Sequence, residues 1–174
     1  MNDRAKCADT NCPLRPTCAR AVEIGEFDDV FSGGWEFGDC KYYIEKPGIK
    51  LVLYRKFPSL NEYTGANRTN KYSGSYMKKE FTNYVTTEAI AQKIEVQTNP
   101  VIVYFAWIEG NKRRDLDNVA FAKKFILDGL VKAGVLKNDN CKHVIGFTDT
   151  FIYDSENKDF PDGFGVIVRL WERK

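Results

Sequence analysis

Residues 101–109 read VIVYFAWIE, the strongest strand signal in the chain: β-branched, aromatic and apolar up to a closing glutamate. Working outward from it, Gly110-Asn111 marks a turn, and KRRDLDN at 112–118 follows. The next stretch places Val119, Ala122, Ile126 and Leu130 on one face of a helix predicted over 117–133, with Gly134 suited to its C-terminal cap. Upstream, IKLVLYR at 49–55 reads as a strand. The polar stretch 57–73, with Pro58, Gly65 and three asparagines, reads as a loop. A helix is predicted over 75–96 from the spacing of Met77, Phe81, Tyr84, Val85, Ala89 and Ile94, and Asn99-Pro100 closes that segment. Downstream, 144–153 and 164–171 read as the two strands of a long hairpin joined by DSENKDFPDG. The order strand, helix, strand, helix, strand, strand predicts an α+β fold, a small mixed or antiparallel sheet with two packed helices.

The 174 residues suit one ordinary domain with a small appendage. The appendage is 1–47, a short Cys-rich module rich in turn residues and poor in aliphatic periodicity. Pro47-Gly48 marks the boundary with a main domain over 48–174. No apolar run approaches the roughly 18 residues of a membrane span. The N-terminus shows no basic stretch followed by an apolar one, so an intracellular protein is expected.

The net charge of +2 hides an uneven distribution. Residues 1–45 hold nine acids and five bases, whereas 46–79 hold eight bases and one acid, Glu62. The basic stretch also carries Tyr54, Phe57, Tyr63, Tyr72 and Tyr76, a composition able to follow a phosphate backbone while rings pack against sugars or bases. A solvated surface loop beside a helix would look the same, so composition leaves both readings open.

Four of the five cysteines, Cys7, Cys12, Cys18 and Cys40, lie in the first 40 residues. In a reducing compartment such clustering points to metal chemistry before disulfides, and the expectation is a four-thiolate zinc site. An iron–sulfur cluster and unbound thiols are the alternatives. Cys141 is isolated and reads as a spectator. His143, the only histidine, reads as structural rather than as a general base, and Trp35, Trp107 and Trp171 read as core or interface residues.

The pair Asp115-x-Asp117 is a chance-level pattern on its own, since thirteen aspartates predict about one such pair. Aspartates at a helix start also cap free amides. Position is what gives the pair weight, because it lies between the most apolar strand and an amphipathic helix. In extended chain both carboxylates point to one side, and hard oxygen donors without histidine or thiolate suit Mg²⁺ or Mn²⁺. Asp139 offers a third carboxylate, but it lies beyond a helix about 25 Å long and must fold back to join the others.

The run Arg113-Arg114-Asp115-Leu116-Asp117-Asn118, the helix ending Lys132-Ala133-Gly134 and an aspartate five residues later together resemble the RusA family of Holliday-junction resolvases. The likeness covers roughly 48–171, and Phe57-Pro58-Ser59-Leu60-Asn61 resembles that family's Pro-Ser-Asn region. The resemblance implies a homodimeric, Mg²⁺-dependent endonuclease that nicks four-way DNA junctions symmetrically with three aspartates and a lysine. It assigns the aspartates to Asp115, Asp117 and Asp139. The family's lysine position, four residues after the second aspartate, is Phe121 here. Counting back from Gly134 implies a three-residue insertion and assigns the role to Lys124, with Lys123 as second choice. Asn138 stands where the family often has another acid. Lys112, Arg113, Arg114, Lys123, Asn61, Arg68 and Lys71 are the expected DNA contacts, and branched DNA the expected partner. By resemblance alone, a bacterial cytoplasmic protein of phage or prophage origin is expected. Two other readings stand beside this one: a non-catalytic DNA-binding or regulatory module, and a metal-dependent nucleotidyl or phosphoryl transferase. The transferase reading lacks a Gly-rich phosphate loop.

Overall fold

The structure, a computed structural model, describes residues 6–7, 30–31, 35–36, 39–40, 49–70, 72–153, 160 and 162–172. The chain divides into two compact units, Met1–Gly48 and Ile49–Lys174. In the first, strands β1 (Lys6–Cys7) and β2 (Val30–Phe31) pair in parallel, and β3 (Trp35–Glu36) and β4 (Asp39–Cys40) pair antiparallel. Cys12 and Cys18 lie outside the described residues, as do the side chains of Cys7 and Cys40.

The second unit is α+β. Its elements are β5 (Ile49–Leu53), α1 (Leu60–Thr69), α2 (Ser73–Ala91), β6 (Val101–Glu109), α3 (Leu116–Ala120), α4 (Lys123–Lys132), β7 (Val144–Tyr153) and β8 (Gly165–Glu172). They form a four-stranded mixed sheet in the order β5-β8-β6-β7, antiparallel except for the β6–β7 pair. Leu51, Leu53, Val103, Phe105, Trp107, Val166, Val168 and Leu170 join Val85 and Ala89 of α2 and Phe125, Ile126 and Leu130 of α4 in one buried cluster. Helices α2 and α4 approach closely at Gly129, where an added Cβ would stand 2.5 Å from Val85 Cβ.

Three expectations are corrected here. The strands at 144–153 and 164–171 do not form a hairpin. β7 lies parallel to β6 on one side, and β8 pairs with β6 on the other while also pairing with β5. Burial explains the order. Val166, Val168 and Leu170 of β8 are at most 2% exposed and belong in mid-sheet, whereas Phe147 and Ile152 of β7 are 49% and 37% exposed and tolerate an edge.

The stretch 57–73 is not simply a loop, because it contains α1. Ser59 Oγ accepts from the Glu62 amide at 3.3 Å, and Glu62 Oε2 accepts from the Ser59 amide at 2.7 Å. This capping box starts the helix despite the Gly and Asn content that argued against it. The helix predicted over 117–133 is divided at Phe121-Ala122, where the amides of Ala122, Lys124 and Phe125 bond three residues back rather than four. The divide falls inside the stretch where the resemblance implies an insertion.

Other signals mark real ends. Gly134 takes φ 77°, and the Val135 amide bonds Leu130 O at 3.0 Å, the left-handed closure expected of α4. The helix predicted over 75–96 is α2, Ser73–Ala91, and it stops well before Asn99-Pro100. Lys93 turns to φ 52°, and the Ile94 amide reaches Ala89 O. Gln92 then serves the edge strand β5, donating to Val52 O at 2.7 Å and accepting from the Val52 amide at 2.9 Å.

Candidate functional site

The site candidates gather after the end of β6. Asn111 Oδ1 accepts from the Arg113 amide at 3.1 Å and shapes the turn. Arg114 then points inward. It donates from Nε to Glu109 Oε2 at 3.0 Å, from Nη2 to Glu109 Oε1, and from Nη1 to Phe57 O at 2.8 Å. Glu109 is only 4% exposed, so this forked pair neutralises a buried carboxylate and ties the end of β6 to the segment leading into α1. Arg114, an expected phosphate contact, is thus engaged inside the fold.

The next residue turns outward. Asp115 occupies the N-cap position of α3 in extended conformation, yet its side chain caps no amide. Its one described bond comes from Asn118 Nδ2, at 3.1 Å. Asp117, in the first turn of α3, is exposed, and its side chain has no hydrogen bond or ion pair among the described residues. Neither aspartate caps an amide, although Asp117 sits in the first turn of α3, where the helix dipole favours an acid.

Phe121 is a packing residue. Its ring lies 5.3 Å from that of Tyr63 on α1 and 5.5 Å, edge-on, from that of Phe125. The two lysines after the helix divide go separate ways. Lys124 donates to Asp128 Oδ1 at 2.7 Å and to Asp139 Oδ2 at 3.0 Å. So Asp139, seven residues past the end of α4, does return to that helix's first turn. Its loop is shaped by Asn138 Oδ1, which accepts from the Asn140 amide, and by Asn140 Oδ1, which accepts from the Lys142 amide and meets His143 Nδ1 at 2.9 Å. Asn138 is thus a turn former, and the His143 carbonyl accepts from the Val101 amide.

Asp128 has a second cation, Lys78 of α2, at 3.0 Å. Burial pushes the Asp128 carboxyl up, but the ammonium groups of Lys124 and Lys78 outweigh it and hold its pKa below the ordinary range. The hydrogen bond to Asp128, aided by Asp139 and opposed by desolvation, holds the Lys124 ammonium above the ordinary lysine value.

Lys123 faces the sheet. It donates to Asp149 Oδ2 at 2.6 Å, while Trp107 Nε1 donates to Asp149 Oδ1 at 2.9 Å. Its ammonium also lies 5.5 Å from the Phe147 ring centroid. Sequence reading passed over Asp149. The available signal was the alternation Phe147-x-Asp149-x-Phe151, which sets one acid among aromatics on a single face of β7.

Among the remaining candidates, Asn61 and Arg68 are exposed on α1, and Lys71 lies outside the described residues. Lys112 stands 5.3 Å from the Tyr153 ring centroid, and Arg113 is exposed without a side-chain partner among the described residues.

The oxygen donors suit a hard divalent cation, and Asp115 and Asp117 are open to one. Among the described residues, however, no three His, Cys, Asp or Glu side chains are grouped to hold a metal. Asp139 is the member tied elsewhere, to Lys124. No described helix is long and apolar enough to cross a membrane. No protein-family model and no curated protein matches the chain.

Proposed function

We propose that the Ile49–Lys174 unit is a Mg²⁺-dependent, structure-selective endodeoxyribonuclease that resolves four-way DNA junctions by paired nicks. The observation that carries this reading is Asp115, which holds a helix N-cap position but caps nothing, beside an exposed and unpaired Asp117. The pair faces solvent, held only by the Asn118 side-chain amide on Asp115, and is open to a cation and a phosphodiester. Asp139 returns to Lys124, the lysine that the resemblance assigns.

In this reading Asp115, Asp117 and Asp139 would hold the cation. When bound, it supplies Lewis acidity at the scissile phosphate and lowers the pKa of the attacking water. Lys124 stabilises negative charge developing on the phosphate oxygens. Lys112 and Arg113 lie next to the aspartates in sequence and would screen flanking phosphates, with the exposed Asn61 and Arg68 as further DNA contacts. A two-fold dimer would present two such sites to the opposed strands of a junction. Zinc held by Cys7, Cys12, Cys18 and Cys40 would staple the first unit.

The test is nicking of a synthetic four-way junction with and without Mg²⁺ or Mn²⁺. Wild-type protein should cut, and Asp117→Asn should bind without cutting. An intact junction after incubation with either cation rejects the proposal. A second reading, a non-catalytic DNA-binding module, is favoured by the absence of a three-carboxylate group among the described residues. Junction binding unchanged by EDTA, with no cleavage, would select it.

A further inference from the structure

Five aromatic residues interleave the basic stretch 46–79, and the fold employs three of them. Phe57 is 3% exposed, with its ring 5.3 Å from that of Phe81. Tyr63 packs 5.3 Å from the Phe121 ring, and Tyr54 lies 5.4 Å from that of Phe160. Tyr72 and Tyr76 differ: at 68% and 70% exposed, they are the most open large hydrophobic side chains among the described residues. We propose that Tyr76, with Tyr72 and the cations beside it, is a stacking platform for an unpaired nucleic-acid strand. The platform needs no divalent cation, so it goes beyond the cleavage reading and does not rest on it.

Helix geometry gathers the parts. Tyr72 holds the N-cap position of α2, and Tyr76 follows four residues later on the same face. Lys79 comes three residues further along that face, exposed and without a side-chain partner among the described residues. The end of α1 adjoins this turn, since a Cβ added to Gly74 would stand 2.0 Å from Asn67 Oδ1. Arg68, next to Asn67, is exposed in the last turn of α1, which brings its charge near the start of α2.

The charge around the rings is of one sign. From Tyr63 to Lys79 the sequence holds four bases and no acid. Lys78 is met by Asp128 at 3.0 Å, and the next acid, Glu80, is taken up by Arg55. Arg68 and Lys79 therefore remain for phosphates. Exposed apolar residues scattered singly are ordinary, but two rings on one helix face amid uncompensated cations complement both parts of a nucleotide chain. An exposed phenol ring offers a π-face to any unpaired base, whereas bases within a duplex already stack on one another.

The experiment is fluorescence-anisotropy titration of the full chain with a fluorescein-labelled oligothymidylate in EDTA, beside a duplex of equal length. Thermal melts check that each variant is folded. Tyr76→Ala should weaken binding of the single strand by about tenfold, the scale of one lost base stack, and leave duplex binding unchanged. Tyr76→Phe keeps the ring and should stay within about twofold of wild type. Lys79→Gln should flatten the slope of log affinity against log salt by about 0.7. Ile90→Ala, at a residue 63% exposed further along the same helix, should change nothing.

An oligothymidylate that wild type does not bind overturns the proposal, as does unchanged affinity in Tyr76→Ala. A Tyr76→Ala loss that is equal on the duplex, or Tyr76→Phe as weak as Tyr76→Ala, also overturns it, because the ring face would then not be what binds. Every titration is run without a divalent cation. Failure of junction nicking therefore leaves the platform standing, and failure of the platform leaves nicking standing.

Discussion

Arg114 and Asp115 are consecutive residues with opposite fates. Arg114 is drawn into the fold by Glu109 and the Phe57 carbonyl, and its side chain is 15% exposed. Asp115 takes a capping position and then faces solvent, as Asp117 does two residues on. Within RRDLDN, then, Arg114 is scaffold, whereas Arg113 and the two aspartates face solvent. A motif matched as a string hides that division. Only the partner of each side chain reveals it.

The division can be broken on either side. The largest effect is expected on the aspartate side: Asp117→Asn should lower junction nicking by about 100-fold or more while junction affinity persists. Its unfolding free energy should move by no more than about 0.5 kcal/mol, because nothing in the fold depends on that carboxylate. Retained nicking would remove Asp117 from the site. A large loss of stability in urea melts would make it scaffold.

On the scaffold side, Arg114→Ala leaves Glu109 buried and unpaired. Breaking such a pair from one end costs about 3 kcal/mol, so the urea midpoint should fall sharply. A variant as stable as wild type would show that Glu109 finds another partner or water, and the contrast between neighbours would collapse. The capping box beside this pair is a smaller lever. Ser59→Ala should cost about 1 kcal/mol and loosen the start of α1, which has no fully buried residue and packs on the core through Tyr63. Hydrogen exchange at the first amides of α1 would report it.

The same contrast explains what could be read in advance. The ends of β6 and β7 and the cap at Gly134 follow from local composition, which is written in consecutive residues. The position of β8 does not, because pairing beside β6 rather than β7 is decided by which strand must be buried on both sides. Helix α1 was hidden because Ser59 and Glu62 outweigh a run that contains Gly65 and three asparagines. Asp115, Asp117, Asp139 and Lys124 were candidates through spacing and resemblance, and the contact of Lys124 with Asp139 is what the structure adds. The inward turn of Arg114 and the Lys123–Asp149–Trp107 link were not legible, since each depends on a partner many residues away.

The smallest effect concerns the charge chain Lys78–Asp128–Lys124–Asp139, and it varies with pH. The Asp128 carboxyl is held below its ordinary range in the folded chain, so folding favours its ionised form. Its contribution is complete above the ordinary carboxylate pKa and disappears as pH falls through the lowered folded value. Lys124 is shifted the other way: its contribution is complete below the ordinary lysine pKa and disappears as pH rises through the raised folded value, in strongly alkaline solution. Between those limits the pairs are intact. Asp128→Asn should therefore be less stable than wild type by about 0.5 kcal/mol at neutral pH, the scale of partly exposed and (i,i+4) pairs. The difference should shrink toward zero as the solution is taken into the acid range. Urea melts of both proteins across that range measure it. A gap that stays constant with pH would mean that Asp128 acts through packing against α2 rather than through its charge, and that the chain from Lys78 to Asp139 is not an electrostatic unit.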